Sequence, residues 1–267
     1  MKRTILVTVL AFALAPVAAA AAAPSPSQNA NNSCTALKAK MGASFTQAFP
    51  TFGQCVSALT PVEQQNVNGA QDACVAEQND TNFAATHGGK TFTQVYGTGK
   101  NGKDALGKCV SSKAQASSAA EQAGTPNPAQ TCRTLRTQMG TSLFNKTYGT
   151  NANHRNAFGK CVSKAAHDQA QDESNAATLC RSEQSDSNFA SSHGGKTFAQ
   201  FYGTNADDSN AFGQCVSTKT TATTQSKQQA TVTAASACAT EQSANAAAFR
   251  TKYGTFGECV SLRASGH

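Results

Sequence analysis

Hydrophobic and polar positions are segregated along this chain into five packets. Beyond residue 23, every aromatic side chain falls inside one of five short stretches, each bounded by two cysteines. Each stretch holds an aromatic pair four residues apart: Phe45/Phe49, Phe92/Tyr96, Phe144/Tyr148, Phe198/Tyr202 and Phe249/Tyr253. That spacing puts both rings on one face of a helix. Each pair is followed by [FL]-G-x-C-V-S, opened by Phe52, Leu106, Phe158, Phe212 and Phe256. The connecting stretches, such as SSKAQASSAAEQAGTPNPAQ and STKTTATTQSKQQATVTAAS, contain no aromatic residue.

The punctuation predicts an aromatic helix flanked by two others in every unit. In CATEQSANAAAFRTKYGTFGECVS, Ser243 or Asn245 can cap the helix that carries Phe249 and Tyr253. Gly254 then stands where a left-handed residue ends a helix, and Thr255 caps the next. Gly97, Gly149 and Gly203 predict the same helix stop, and Thr51, Asp104, Asn156 and Asn210 the same helix start. The first unit departs from this pattern with Phe49-Pro50. The middle three units carry seven extra residues after the Tyr-Gly step, and the second and fourth also carry A-x-x-H-G-G-K before the aromatic pair. The unit order is short, long, medium, long, short. Between units, AAHDQAQDESNAATL reads as helix, whereas threonine-rich TTATTQ and the GTPNP break leave a flexible connection open.

All ten cysteines lie beyond the first 23 residues, and no C-x-x-C occurs. An even count in an exported chain argues for disulfides, and the spacing suits neither a thioredoxin-type centre nor a zinc knuckle. With about 1.5 Å of rise per residue, the two cysteines of a unit fall at one level on its flanking helices. This predicts Cys34–Cys55, Cys74–Cys109, Cys132–Cys161, Cys180–Cys215 and Cys238–Cys259. Each packet is far smaller than the roughly 70–80 residues at which a core suffices alone, so local staples, not a shared interior, are expected to hold five miniature bundles. The resulting division is a signal peptide at 1–23, a flexible linker at 24–33, and units at 34–60, 74–113, 132–165, 180–219 and 238–267.

MKRTILVTVLAFALAPVAAAAAA has a basic start, an apolar run and a small-residue end, the layout of a secretory signal cleaved among Ala18 to Ala23, with an uncleaved anchor as the competing reading. No later stretch is apolar enough to cross a membrane. Without Lys2 and Arg3, 20 basic side chains face 15 acidic ones. The lysines read as scattered, which argues against a nucleic-acid stripe and leaves weak attraction to anionic envelope polymers open.

Candidate chemistry is thin. Gly89-Lys90-Thr91 and Gly195-Lys196-Thr197 match the end of a phosphate loop, but Ala84 and Ala190 replace its first glycine; a Gly-Gly helix stop with a threonine cap accounts for both. His87, His193 and His154 read as loop histidines without an i, i+4 partner. NADDSN (205–210) resembles a calcium loop, yet its counterparts GKNGKD and NANHRN carry cations and no glutamate follows at position twelve. Glu77, Glu183 and Glu241 each follow a cysteine by three residues and read as surface or cap glutamates. Asn31, Asn79 and Asn145 lie in glycosylation sequons. No cofactor, metal or catalytic set is expected.

The units CVAEQ…FTQVYGTGKNGKDALGKCVS and CRSEQ…FAQFYGTNADDSNAFGQCVS resemble a repeat of uncharacterised secreted bacterial proteins, over residues 34–263. The resemblance implies an exported helical repeat protein and no known activity. The fold class expected is all-α: five small disulfide-stapled helical repeats on polar, partly helical spacers. The expected function is a secreted or envelope-associated non-enzymatic protein that binds a cell-surface polymer or surface protein weakly and multivalently. A structural or protective spacer is the alternative, and an enzyme of unknown type the third reading.

Overall fold

Ser25 starts the first helix of the computed structural model, which describes residues 25–99 and 101–266. The proposed signal peptide lies outside those residues. Ser25 accepts from the Gln28 amide while the Gln28 side chain accepts from the Ser25 amide, and Pro26 occupies the first turn. This capping box begins α1 (Pro26–Met41) and buries Asn29, Ala30 and Ser33. Residues 26–33 are therefore helix, which corrects the expectation of a flexible linker.

Helices are the regular elements of the described residues, with no strand among them. After α1 come α2 (Phe45–Ala48), α3 (Phe52–Asn79), α4 (Phe83–Thr86), α5 (Phe92–Tyr96), α6 (Ala105–Gly124) and α7 (Pro128–Tyr148). Then follow α8 (Ala157–Gln184), α9 (Phe189–Ser192), α10 (Phe198–Tyr202), α11 (Ala211–Ala244), α12 (Ala246–Tyr253) and α13 (Phe256–Ala264). α7 bends at Gly140, whose φ of 77° no helix interior allows. The disulfides are Cys34–Cys55, Cys74–Cys109, Cys132–Cys161, Cys180–Cys215 and Cys238–Cys259, with Cα atoms 5.9–6.1 Å apart. Each closes within its own unit and ties the helix entering the unit to the helix leaving it.

The connecting segments are the long rods of the fold. α3 and α8 each run 28 residues and α11 runs 34, about 42–51 Å at ordinary helical rise. TTATTQ lies inside α11 despite its low propensity: Thr220 is fully buried and the Thr221 hydroxyl donates to the Gly124 carbonyl. Tertiary packing outweighs the few tenths of a kcal/mol per threonine that disfavour helix. Only GTPNP breaks a rod; Asn127 recaps the chain as α7 by accepting from the Gln130 amide.

Each rod reverses the chain, so α3 leads away from unit one, α6 and α7 return, α8 leads out and α11 returns. Units one, three and five meet at one pole, and units two and four adjoin at the other. At the first pole a single interior holds Phe45, Phe49, Phe144, Phe249, Phe256 and three disulfides. This corrects the expectation of five miniature bundles without a shared interior. At the second pole two separate clusters surround Phe83/Phe92 and Phe189/Phe198. They are linked by Arg181 to Asp72 at 3.0 Å and by the Phe212 ring against Gly69.

Helix stops differ between the short and long units. Gly254 has φ 71°, as a left-handed stop requires. Gly97, Gly149 and Gly203 instead have φ between −75° and −63°. They are needed for close approach: a Cβ on Gly203 would lie 2.3 Å from the Asp208 carboxylate and 2.6 Å from the Ala199 carbonyl. The starts differ likewise. Thr51 and Thr255 cap through their hydroxyls. Asp104, Asn156 and Asn210 make no such cap; they accept from the amides of residues 98, 150 and 204 and so close the extra loops.

Candidate functional site

Three of the five units contain the same polar strut. In unit two, Glu77 accepts from the Tyr96 hydroxyl at 3.0 Å and pairs with Lys113 at 2.9 Å. In unit four, Glu183 accepts from Tyr202 at 2.9 Å and pairs with Lys219 at 2.8 Å. In unit five, Glu241 accepts from Tyr253 at 3.1 Å and pairs with Lys252 and Arg263. Each strut joins the entering helix, the aromatic helix and the leaving helix beside the disulfide. These glutamates lie at the surface, part-exposed, and each is tied to a tyrosine and a cation rather than serving as a helix cap. Burial and the neighbouring Glu183 push the Tyr202 hydroxyl up to about 12. Such a phenol holds its proton and donates it in a hydrogen bond to the glutamate, so the arrangement ties the helices together.

Units one and three lack the strut. Where units two, four and five have glutamate three residues after the first cysteine, these have Leu37 and Leu135. Where the others have Lys or Arg four residues after the second cysteine, these have Leu59 and Ala165. Unit one fills the space with Leu37, Leu59 and Phe49, which pack on the shared interior. Unit three combines a tyrosine, Tyr148, with small Ala165, and a cleft of about 350 Å³ opens there between α7, α8, α11 and α13. Its walls include Leu135, Tyr148, Ala165, Val260 and Ala264. Lys164–Asp168 and Lys227–Asp172, at 2.7 and 2.6 Å, also line it.

Between the poles lies a buried acidic belt. Glu63 of α3, Glu121 of α6 and Glu173 of α8 are each at most 6% exposed. Glu63 accepts from the Ser33 hydroxyl at 2.6 Å and from the Asn66 amide at 3.2 Å, and that amide also donates to Glu121 at 3.1 Å. Gln169 donates to Glu173 at 2.8 Å. Burial, then the charges of Glu173 and Glu63, push the Glu121 carboxyl well above the ordinary range. Burial pushes Glu173 up to about 7. Glu121 and Glu173 therefore hold their protons more tightly than ordinary carboxyls do. Among the described residues, no three His, Cys, Asp or Glu side chains converge as ligands of one metal ion.

Charge separates the poles. Units one, three and five carry eleven Lys and Arg against two acids, while units two and four carry eight against seven. Unit three alone has Arg133, Arg136, Lys146, Arg155, Lys160 and Lys164 and no acid. All six are exposed. Counting charge unit by unit, not along the whole chain, would have found this face; the overall scatter of lysines concealed it.

The remaining sequence candidates serve the fold. His87 and His193 stack on Phe83 and Phe189, with ring centroids 3.7 and 3.8 Å apart, and their Nδ1 atoms face those residues' carbonyls. Gly88, Gly89, Gly194 and Gly195 take positive φ, and Thr91 and Thr197 then cap α5 and α10. His154 Nδ1 lies 3.1 Å from the Gly149 carbonyl. In NADDSN, Asp207 accepts from the Ser209 hydroxyl within its own loop. No helix among the described residues is long and apolar enough to cross a membrane. Comparison with protein-family models, curated proteins and solved structures finds no match.

Proposed function

We propose that this is a non-enzymatic protein of the cell surface or extracellular space that binds an anionic envelope polymer through its three-unit pole. The observation that carries this reading is the exposed basic surface of unit three, whose only ion-paired cation among the described residues is Lys164, held by Asp168 just beyond the unit. Arg133, Arg136, Lys146, Arg155 and Lys160 on one small unit set up a field that attracts polyanions weakly. Arg136 lies over the Phe158 ring and Lys146 over the Phe256 ring, at 5.6 and 5.9 Å, so two of the cations rest on aromatic faces. Units one and five add Lys38, Lys40 and Arg250 at the same pole, which supports multivalent rather than single-point attachment. Secretion fits the five disulfides, which persist in oxidising compartments. The likeness of the units to secreted bacterial repeat proteins points the same way.

The test is retention of the oxidised protein on immobilised polygalacturonate against neutral dextran. Retention on the polyanion alone, lost with added salt, is the expected result. The triple variant Arg133→Gln/Arg136→Gln/Lys160→Gln should elute at markedly lower salt. Equal elution of variant and parent would reject the reading. A structural or protective spacer is the second reading, favoured by five covalent staples in one chain; it requires no saturable retention on either matrix.

A further inference from the structure

We infer that the cleft of unit three is a binding site for a small uncharged molecule with an apolar face and one oxygen acceptor, held against Leu135 and Ala165 by a hydrogen bond from Tyr148. The inference starts from a comparison within the chain. The positions that hold a Glu–Tyr–Lys or Glu–Tyr–Arg strut in units two, four and five hold Leu135, Tyr148 and Ala165 here. Two of three strut members have been replaced by smaller or apolar groups, and the hydroxyl has been kept. In unit one, the other unit without a strut, the hydroxyl is absent because Phe49 stands at that position. Tyr148 is therefore the tyrosine whose intended carboxylate is missing. Burial, with Asp168 nearby, pushes it up to about 12. It remains a hydrogen-bond donor throughout the working pH range.

Size and charge define the ligand class. The cavity, about 350 Å³, lies at the lower end of the range for small-molecule sites, roughly 300–1,000 Å³. Leu135, Ala165, Val260 and Ala264 give it an apolar side, and neutral polar side chains such as Thr224, Gln228 and Thr231 line the rest. Its ionic groups are already matched, Lys164 to Asp168 and Lys227 to Asp172. A charged ligand would have to displace one of those partners, whereas a neutral one leaves both pairs intact. The site differs in chemistry from the proposed polymer-binding surface: that surface uses Arg133, Arg136, Lys146, Arg155 and Lys160, whereas Lys164, which lines the cleft, is matched by Asp168.

The experiment uses the full oxidised chain and two neutral probes, acetylnaphthalene and ethylnaphthalene. Amide shifts on titration should be saturable and centre on Leu135, Tyr148, Ala165 and Val260. The ketone should bind about fivefold more tightly than the hydrocarbon, the difference one hydrogen bond makes. Tyr148→Phe, which copies unit one, should erase that difference and leave the hydrocarbon's affinity unchanged. Leu135→Glu/Ala165→Lys rebuilds the strut of unit two inside the cleft and should weaken both probes at least tenfold with ellipticity retained. Shifts centred elsewhere, non-saturable shifts, or equal affinity in the folded rebuilt variant would overturn the inference. Should the rebuilt variant not fold, the mapped shifts and the Tyr148→Phe comparison decide the matter.

Discussion

The two poles are built from the same kind of unit and stabilised differently. At the pole of units one, three and five, three aromatic packets and three disulfides share one interior. At the pole of units two and four, each packet keeps its own small cluster, and polar contacts such as Arg181–Asp72 bridge them. Units two and four also carry the extra loops, in which His87 and His193 cover Phe83 and Phe189. A histidine from the unit's own loop thus does locally what neighbouring units do at the shared pole. Apolar packets can be closed either by fusing with others or by folding a loop over themselves, and the second solution depends more heavily on covalent and polar ties.

The contrast can be broken most forcefully in the interiors. Phe144 is fully buried in the shared core, so Phe144→Ala should cost about 3–5 kcal/mol and lower the melting of the whole molecule. Phe198→Ala, by comparison, should raise amide exchange within residues 180–219 and leave that of unit three unchanged. Next in size are the staples. Replacing Cys180 and Cys215 by serine removes a 35-residue closure, an effect of about 4 kcal/mol that should open unit four locally. The corresponding change at Cys132 and Cys161 should leave unit three protected, because neighbouring units still cover its rings; hydrogen exchange distinguishes the two.

The acidic belt between the poles yields a pH dependence. Glu173 titrates near 7 in the fold against 4.5 as the ordinary value. Between those values the folded state keeps a proton that the unfolded state has lost. The contribution of Glu173 to stability is therefore full below about 4.5, falls as pH rises from about 4.5 to about 7, and is gone above that. The full effect is about 3 kcal/mol, and Glu121 acts in the same direction. Denaturant midpoints of the parent and of Glu173→Gln across that window measure it; the variant should show a flatter profile. The smallest expected change is at a strut: Glu183→Gln should cost about 1 kcal/mol, since the group is part-exposed, and should lower the Tyr202 titration as measured by absorbance.

Much of the local architecture was legible. Thr91, Thr197 and Thr255 cap helices through contacts three residues away, which depend on sequence neighbours alone; the same kind of box at Ser25 lay in a stretch read as linker. The struts were hidden because Glu77 meets Tyr96 at a separation of 19 residues and Lys113 only when the leaving helix folds back beside it. The belt was hidden for a different reason. Glu63, Glu121 and Glu173 sit in stretches whose Ala, Gln and Ser content reads as solvated, and they become interior only when three rods pack together. The cleft was hidden because it is made by what Leu135 and Ala165 lack relative to their counterparts, and absence of bulk has no periodic signal.

By itself, the sequence determined where the aromatic helices within the units start and stop, that they carry aromatic pairs, and where the staples lie. These features follow from hydrogen bonds and steric limits acting over a few residues and from closures of a few turns. The tertiary structure alone decided which units share an interior, which acids leave water and where a cavity remains. Those outcomes depend on the reversal of long rods, which brings together residues more than fifty positions apart, and no short-range rule encodes such meetings.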